Sequence, residues 1–115
     1  MRILVCGDRN WTNREAIERE LRKFPPDTVV IHGAAPGADT IAGEVAKDLG
    51  LTVEAYEADW WLYGRAAGPI RNQRLLEAQP DQGLAFHADL ENSKGTKDMV
   101  RRMCQAGKPI VVFES

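Results

Sequence analysis

Residues 28 to 56 read TVVIHGAAPGADTIAGEVAKDLGLTVEAY, and the order of patterns inside them decides the fold. The segment opens on a β-branched apolar run, Thr28 to His32, of strand length. It passes through the small-residue turn Gly33 to Asp39 and then takes helical spacing at Ile41, Val45 and Leu49. After Gly50 it returns to an apolar run, Leu51 to Tyr56. Strand, turn, helix and strand in that order form a βαβ unit. Its two strands must be parallel, because a helical crossover brings the chain back to the same edge.

The same alternation extends in both directions. Further short apolar runs lie at Ile3 to Cys6, Gly83 to Phe86 and Ile110 to Phe113. Each of the five runs is apolar enough to suit a strand covered on both faces, as in a parallel sheet. Helical spacing recurs at Ile17, Leu21 and Phe24, at Leu75 and Leu76, and at Val100, Met103 and Cys104. Thr12 with Glu15 predicts a capping box opening the first helix, and Pro25-Pro26 ends it, since proline has no amide proton and clashes with the preceding turn. Gly50 and Gly107 are placed to close two helices in the left-handed conformation, and Pro69 suits a first helical turn. The expected architecture is a single α/β domain over residues 1–115. It is a Rossmann-like three-layer α/β/α sandwich around a five-stranded parallel sheet of order 3-2-1-4-5.

Composition agrees with one domain. The chain has 115 residues, 43% of them hydrophobic and 28% charged. Fifteen Lys and Arg against 17 Asp and Glu leave a net charge of -2, so no global positive field attracts nucleic acid, which is not expected as a partner. No apolar run approaches the roughly 20 residues of a membrane span, and MRILVCGDRNW reaches a glycine and charges too early for a signal peptide. A cytoplasmic protein without membrane contact is expected. Cys6 and Cys104 lack CxxC spacing and read as reduced and buried. A metal would need Cys6, His32 and His87 to converge; neither a metal nor a cofactor is expected.

The unusual residues fall in the loops that leave the carboxyl ends of the strands. These are Cys6-Gly7-Asp8-Arg9, His32 to Asp39, Gly64 to Asn72 and Ser93-Lys94-Gly95-Thr96, and they hold six of the ten glycines. In a parallel sheet they share one edge, where helix N-termini present free amides and the positive end of the dipole. GAAPGAD, with Gly33, Ala34, Pro36, Gly37, Ala38 and Asp39, lets a ligand approach the backbone and predicts amides available to phosphate. Asp39 is either a helix-terminus carboxylate or one aimed at a ribose hydroxyl or an attacking water. SKGT offers two hydroxyls, an ammonium and a flexible glycine to an anion, although Ser93 alone would also serve as a helix cap. At the switch point between strands one and four, SKGT would flank the loop carrying Gly7 and Arg9. In GRAAGPIRNQR, Arg71 and Arg74 share a helix face, Arg65 precedes them, and Gly68 and Asn72 lie beside the helix start. A guanidinium cluster behind small residues suits anion binding. Trp60 and Trp61 read as packing residues that anchor the long connection, with stacking on a base as the alternative.

VCGDRNW, HGAAPGADTIA, EADWWLYGRAAGPIRNQRLL and AFHADLENSKGTKDMV, in that order, resemble the YspA-like, cpYpsA-related SLOG family over nearly the whole chain. The resemblance implies a Rossmann-like fold and a nucleotide or nucleotide-derived ligand. Relatives of that family include LOG-type phosphoribohydrolases, which cut the N-glycosidic bond of nucleoside monophosphates, molybdenum-cofactor carrier proteins and the DNA-processing protein DprA. The RKxxM motif of the LOG enzymes is similar to Arg71 to Leu75, and their PGGxGTxxE falls on Glu91 to Met99, retaining Gly95 and Thr96. Met99 stands where those enzymes carry a glutamate, and a methionine neither holds nor protonates a glycoside.

Two functional readings follow. One is a module that binds an ADP-ribose-like molecule or a nucleoside phosphate through Gly33 to Asp39, Arg71 and Ser93 to Thr96. The other is a small hydrolase of an N-glycosidic or phosphate bond, with Asp39 or Asp8 as the carboxylate and Arg71 and Lys94 stabilising charge. A homo-oligomer is left open, since Trp60, Trp61 and Tyr63 would supply an apolar patch if exposed.

Overall fold

Side chains alternate across the first strand, β1 (Arg2–Gly7), and divide the interior into two cores. Ile3 and Val5 face one side, and Leu4 and Cys6 the other. The computed structural model describes all residues from Met1 to Ser115. The remaining strands are β2 (Val29–His32), β3 (Thr52–Ala55), β4 (Gln82–Phe86) and β5 (Ile110–Phe113). All pair in parallel in the order β3-β2-β1-β4-β5, as the alternating pattern predicts.

On one face, helices α1 (Arg14–Leu21) and α2 (Ala38–Asp48) bury Ile17, Leu21, Ala42 and Val45 against Ile3, Val5, Val30 and Phe86. On the other, α4 (Ala67–Glu77) and α5 (Gly95–Gln105) bury Leu75, Met99 and Met103 against Leu4, Cys6, Ile31 and Ala85. A single-turn helix, α3 (Trp60–Tyr63), lies in the connection before α4. The result is the three-layer sandwich expected from the sequence. No helix is long and apolar enough to cross a membrane.

Local signals held with small displacements. Gly50 and Gly107 take φ of 77° and 72° behind α2 and α5. Pro69 sits in the first turn of α4, where its missing N–H leaves no helical bond unmade. The first helix is capped one residue later than expected. Asn13, not Thr12, takes the cap, its side chain accepting from Ala16 N at 3.2 Å.

Three expectations about burial need correction. β3 and β5 are not covered on both faces: they are the sheet edges, and every residue in them is exposed or half-buried. Cys104 is exposed, because it lies on the side of α5 turned from the sheet, whereas Cys6 is buried in β1. Trp60 and Trp61 do not anchor their loop. They are 59% and 98% exposed, because α3 stands outside both layers and meets only the start of α4, where the Trp60 ring edge lies beside Gly68.

Candidate functional site

The carboxyl ends of β1, β2, β3 and β4 open into one cleft of about 610 Å³. From the first loop it is lined by Gly7, Asp8 and Arg9, and from the second by Gly33, Ala34, Pro36 and Asp39. α4 contributes Gly68, Arg71 and Asn72, and the start of α5 contributes Ser93, Lys94, Gly95 and Thr96. Three of the residues singled out in the sequence stay outside it. Gly37 and Ala38 lie behind the second loop, where Ala38 N donates to Asp8 O at 3.1 Å, and Arg65 projects into solvent before α4. Arg74 also points elsewhere, over the ring of Tyr56 at 5.3 Å.

The second loop does not offer its amides to a ligand. Asp39 is 4% exposed, and its Oδ2 accepts from Gly33 N at 2.9 Å and Ala35 N at 3.4 Å. Ala34 N donates to His32 Nδ1 at 2.9 Å, with Ala34 in the left-handed conformation at φ 58°. The loop is therefore wound around a carboxylate of its own chain, which occupies the position an external phosphate would otherwise take. Burial pushes the Asp39 carboxyl up to about 6, against the opposing pull of Arg71 and the two amides. Its second oxygen has no hydrogen-bond partner. Thr28 Oγ1 is the only enclosed side-chain polar atom without one, so Asp39 Oδ1 reaches the cleft. Burial also lowers the pKa of His32, and the acceptor role of Nδ1 leaves the proton on Nε2, toward Gly43.

Arg71 is the centre of the arrangement. Its Nη1 donates to Gly33 O at 2.5 Å, and its Nε donates to Asn72 Oδ1 at 3.0 Å. Asn72 is buried and is held in turn by Gly95 O at 3.2 Å and Asp98 Oδ2 at 2.9 Å. Ion pairing of Asp98 with Arg102 and Arg101 completes this scaffold. Hydrogen bonds from Asn72, Arg102 and Arg101 hold Asp98 ionised, its pKa below the usual value despite partial burial. The guanidinium is thus fixed by groups from three elements, and its Nη2 has no partner in the protein. Gly33 makes room for it: a Cβ there would stand 2.6 Å from Nη1 and would push the guanidinium aside.

Opposite Arg71, α5 presents its N-terminus. Ser93, one residue before the cap position at Lys94, accepts from Lys97 N through its Oγ at 3.0 Å and so satisfies one amide of the first turn. The first helical bond is Asp98 N to Lys94 O at 3.1 Å, which leaves the amides of Gly95 and Thr96 ahead of any intrahelical acceptor. Lys94 and Arg9 carry no ion pair. Two free amides, an unshared guanidinium edge and two free cations face one space, which suits a phosphate or carboxylate. Asp8 limits the positive charge: its Oδ1 accepts from Asn10 N at 2.9 Å and its Oδ2 lies 4.0 Å from His87 Nε2. Met99, 1% exposed, forms part of the apolar floor with Cys6 and Leu75.

The sequence reading missed Asn10, Glu57 and Ala58 as lining residues. Glu57 and Ala58 follow β3 directly, and the loop rule that selected the other three strands' ends would have found them. The glycine signal, absent there, drew the reading downstream.

A family model described as the YspA, cpYpsA-related SLOG family matches residues 1–63. The chain is also similar to the Gene 61 protein of Mycobacterium phage D29, with 37% identity over 97% of this chain and 95% of that protein.

Proposed function

This chain belongs to the YspA, cpYpsA-related SLOG family, and on that footing we propose that it binds a nucleotide or nucleotide-derived ligand in the cleft at the carboxyl edge of its sheet. The ligand on this reading is an ADP-ribose-like molecule or a nucleoside phosphate. The observation that carries this reading is the pairing of Arg71, locked by Gly33 O and Asn72, with the uncapped amides of Gly95 and Thr96 at the start of α5. The anionic end of the ligand lies between them, with Lys94 and Arg9 adding charge at the rim. Asp39 holds the second loop in shape, and Ala34 and Pro36 line the wall there, while Gly7 and Gly68 make room for the protein itself, for Phe86 O and Ala38 and for the Trp60 ring. The protein acts in the cytoplasm on this reading, with no nucleic-acid partner.

One observation favours a second reading, hydrolysis of an N-glycosidic or phosphate bond. Asp39, with its carboxyl near 6 and one oxygen open to the cleft, is poised for proton transfer near neutral pH. Asp8 is the other carboxylate within the cleft, held by Asn10 N. Met99 leaves the apolar floor without the glutamate that LOG-type enzymes use, so hydrolysis would have to run through Asp39 or Asp8.

Melting the purified protein with a panel of nucleoside mono- and diphosphates and ADP-ribose, while assaying for free base and free phosphate, tests both. Stabilisation that grows with ligand concentration and leaves the ligand intact supports binding; release of base or phosphate supports hydrolysis. A melting temperature unmoved by every compound at millimolar concentration, with no product formed, overturns both.

A further inference from the structure

The charges of the cleft are unevenly distributed. The α5 terminus with Lys94 follows β4, while the β3–α3 connection, three strands away in the sheet, contributes Glu57, Ala58 and Trp60; Arg71 stands between them, bonded to Gly33 O behind β2 and sharing a smaller adjoining pocket with Glu57 and Ala58. Each acid of the cleft other than Glu57 has work inside the protein: Asp39 holds two amides, and Asp8 accepts from Asn10 N and faces His87. Glu57 makes no hydrogen bond or ion pair and is exposed at the cleft wall. Trp60 is 59% exposed, yet its ring edge reaches back over α4, where a Cβ on Gly68 would stand 3.3 Å from it. A large flat apolar surface left half-open beside an unpartnered carboxylate is disfavoured as packing and well suited to a guest.

We propose that the β3–α3 connection is the nucleoside end of the site, with the indole of Trp60 stacking on the base and Glu57 accepting hydrogen bonds from the ribose cis-diol. The reading rests on the nucleotide-binding function above and gives it a direction. A carboxylate repels phosphate, so Glu57 turns the anionic end toward Arg71 and α5 while offering two acceptor oxygens to neighbouring hydroxyls. Stacking tolerates any base, since each has a π face, so the sugar and phosphate would be recognised more strictly than base identity.

Equilibrium titration of the wild type and of Trp60→Leu, Trp61→Leu and Glu57→Gln with ADP, 2′-deoxy-ADP and ribose 5-phosphate tests this, tryptophan fluorescence reporting the stacked ring. Trp60→Leu should weaken ADP binding by about tenfold or more, the range of one base–aromatic stack, and abolish the quench. Its affinity for ribose 5-phosphate should not change. Trp61, 98% exposed and outside the cleft lining, serves as the control and should leave both ligands unaffected. Glu57→Gln should weaken ADP more than 2′-deoxy-ADP. Wild-type binding of ADP combined with Trp60→Leu affinity within twofold overturns the inference and leaves the nucleotide reading standing. Failure of the wild type to bind ADP, ribose 5-phosphate or any nucleotide of the melting panel overturns both.

Discussion

Arg71 and Asp39 show how two opposite charges in one cleft divide their work. Arg71 lies close enough to draw the Asp39 carboxyl down, but burial outweighs that pull and leaves it at about 6. No ion pair joins them: Asp39 Oδ2 accepts from the amides of Gly33 and Ala35, and Arg71 Nη1 donates to the carbonyl of Gly33, on the same loop. Arg71→Ala should cost about 3 kcal/mol of stability, the scale of its two hydrogen bonds from a charged donor, while removing the melting-temperature increase caused by ADP. A variant that keeps the full ligand shift would take the arginine out of the site. The Asp39 carboxyl is raised in the fold above its ordinary value of 3.8, so its protonated form is the one that stabilises the folded state. That contribution is complete below about pH 4 and is lost as pH rises through 6. The loss amounts to about 3 kcal/mol, since each tenfold change in proton affinity between the folded and unfolded chain is worth about 1.4 kcal/mol. Urea unfolding of Asp39→Asn across this range should give a flatter stability profile than the wild type; parallel profiles would contradict the assigned burial of the charge.

Among the elements, the turn into α2 is the most constrained. Gly37 has φ of 77°, and a Cβ there would stand 2.5 Å from Arg9 C and closer still to Asp8 O. Both atoms are backbone, which cannot swing aside as a side chain would. Gly37→Val should destabilise the protein by about 3 kcal/mol or more, through overpacking and a left-handed β-branched residue, and should displace the loop bearing Arg9. Thermal unfolding measures the first effect, and unchanged stability would show that the two loops do not pack as described. The sequence pointed to Gly37 as a place where ligand meets backbone; the structure makes it a place where one loop meets another. Ser93 likewise carries both features read from SKGT, and the one the structure supports directly is the hydrogen bond that its Oγ accepts from Lys97 N in the first turn of α5.

At the scale of the molecule, both cores share the same central strands, so neither helical layer has an interior of its own. β1 contributes Ile3 and Val5 to one and Leu4 and Cys6 to the other. Unfolding should be a single transition. The fluorescence of Trp11, 8% exposed with its ring 5.6 Å from that of Phe86, should change together with far-ultraviolet circular dichroism along a urea gradient. Separate midpoints would mean that one layer melts alone.

The order of the strands and the edge that bears the cleft were legible before any coordinates. The two periodicities, the glycines behind α2 and α5, and the handedness of parallel crossovers are local or chiral constraints carried by neighbouring residues. Which amides remain free, what surrounds Arg71 and how far Trp61 stands in solvent belong to the tertiary structure alone. Arg71 and its carbonyl partner are separated by 38 positions, and the carboxylate that fills the second loop differs in no local signal from one awaiting a ligand. Contacts between distant segments consume hydrogen-bonding capacity that a linear reading counts as available, and only the packed chain determines what is left over for a guest.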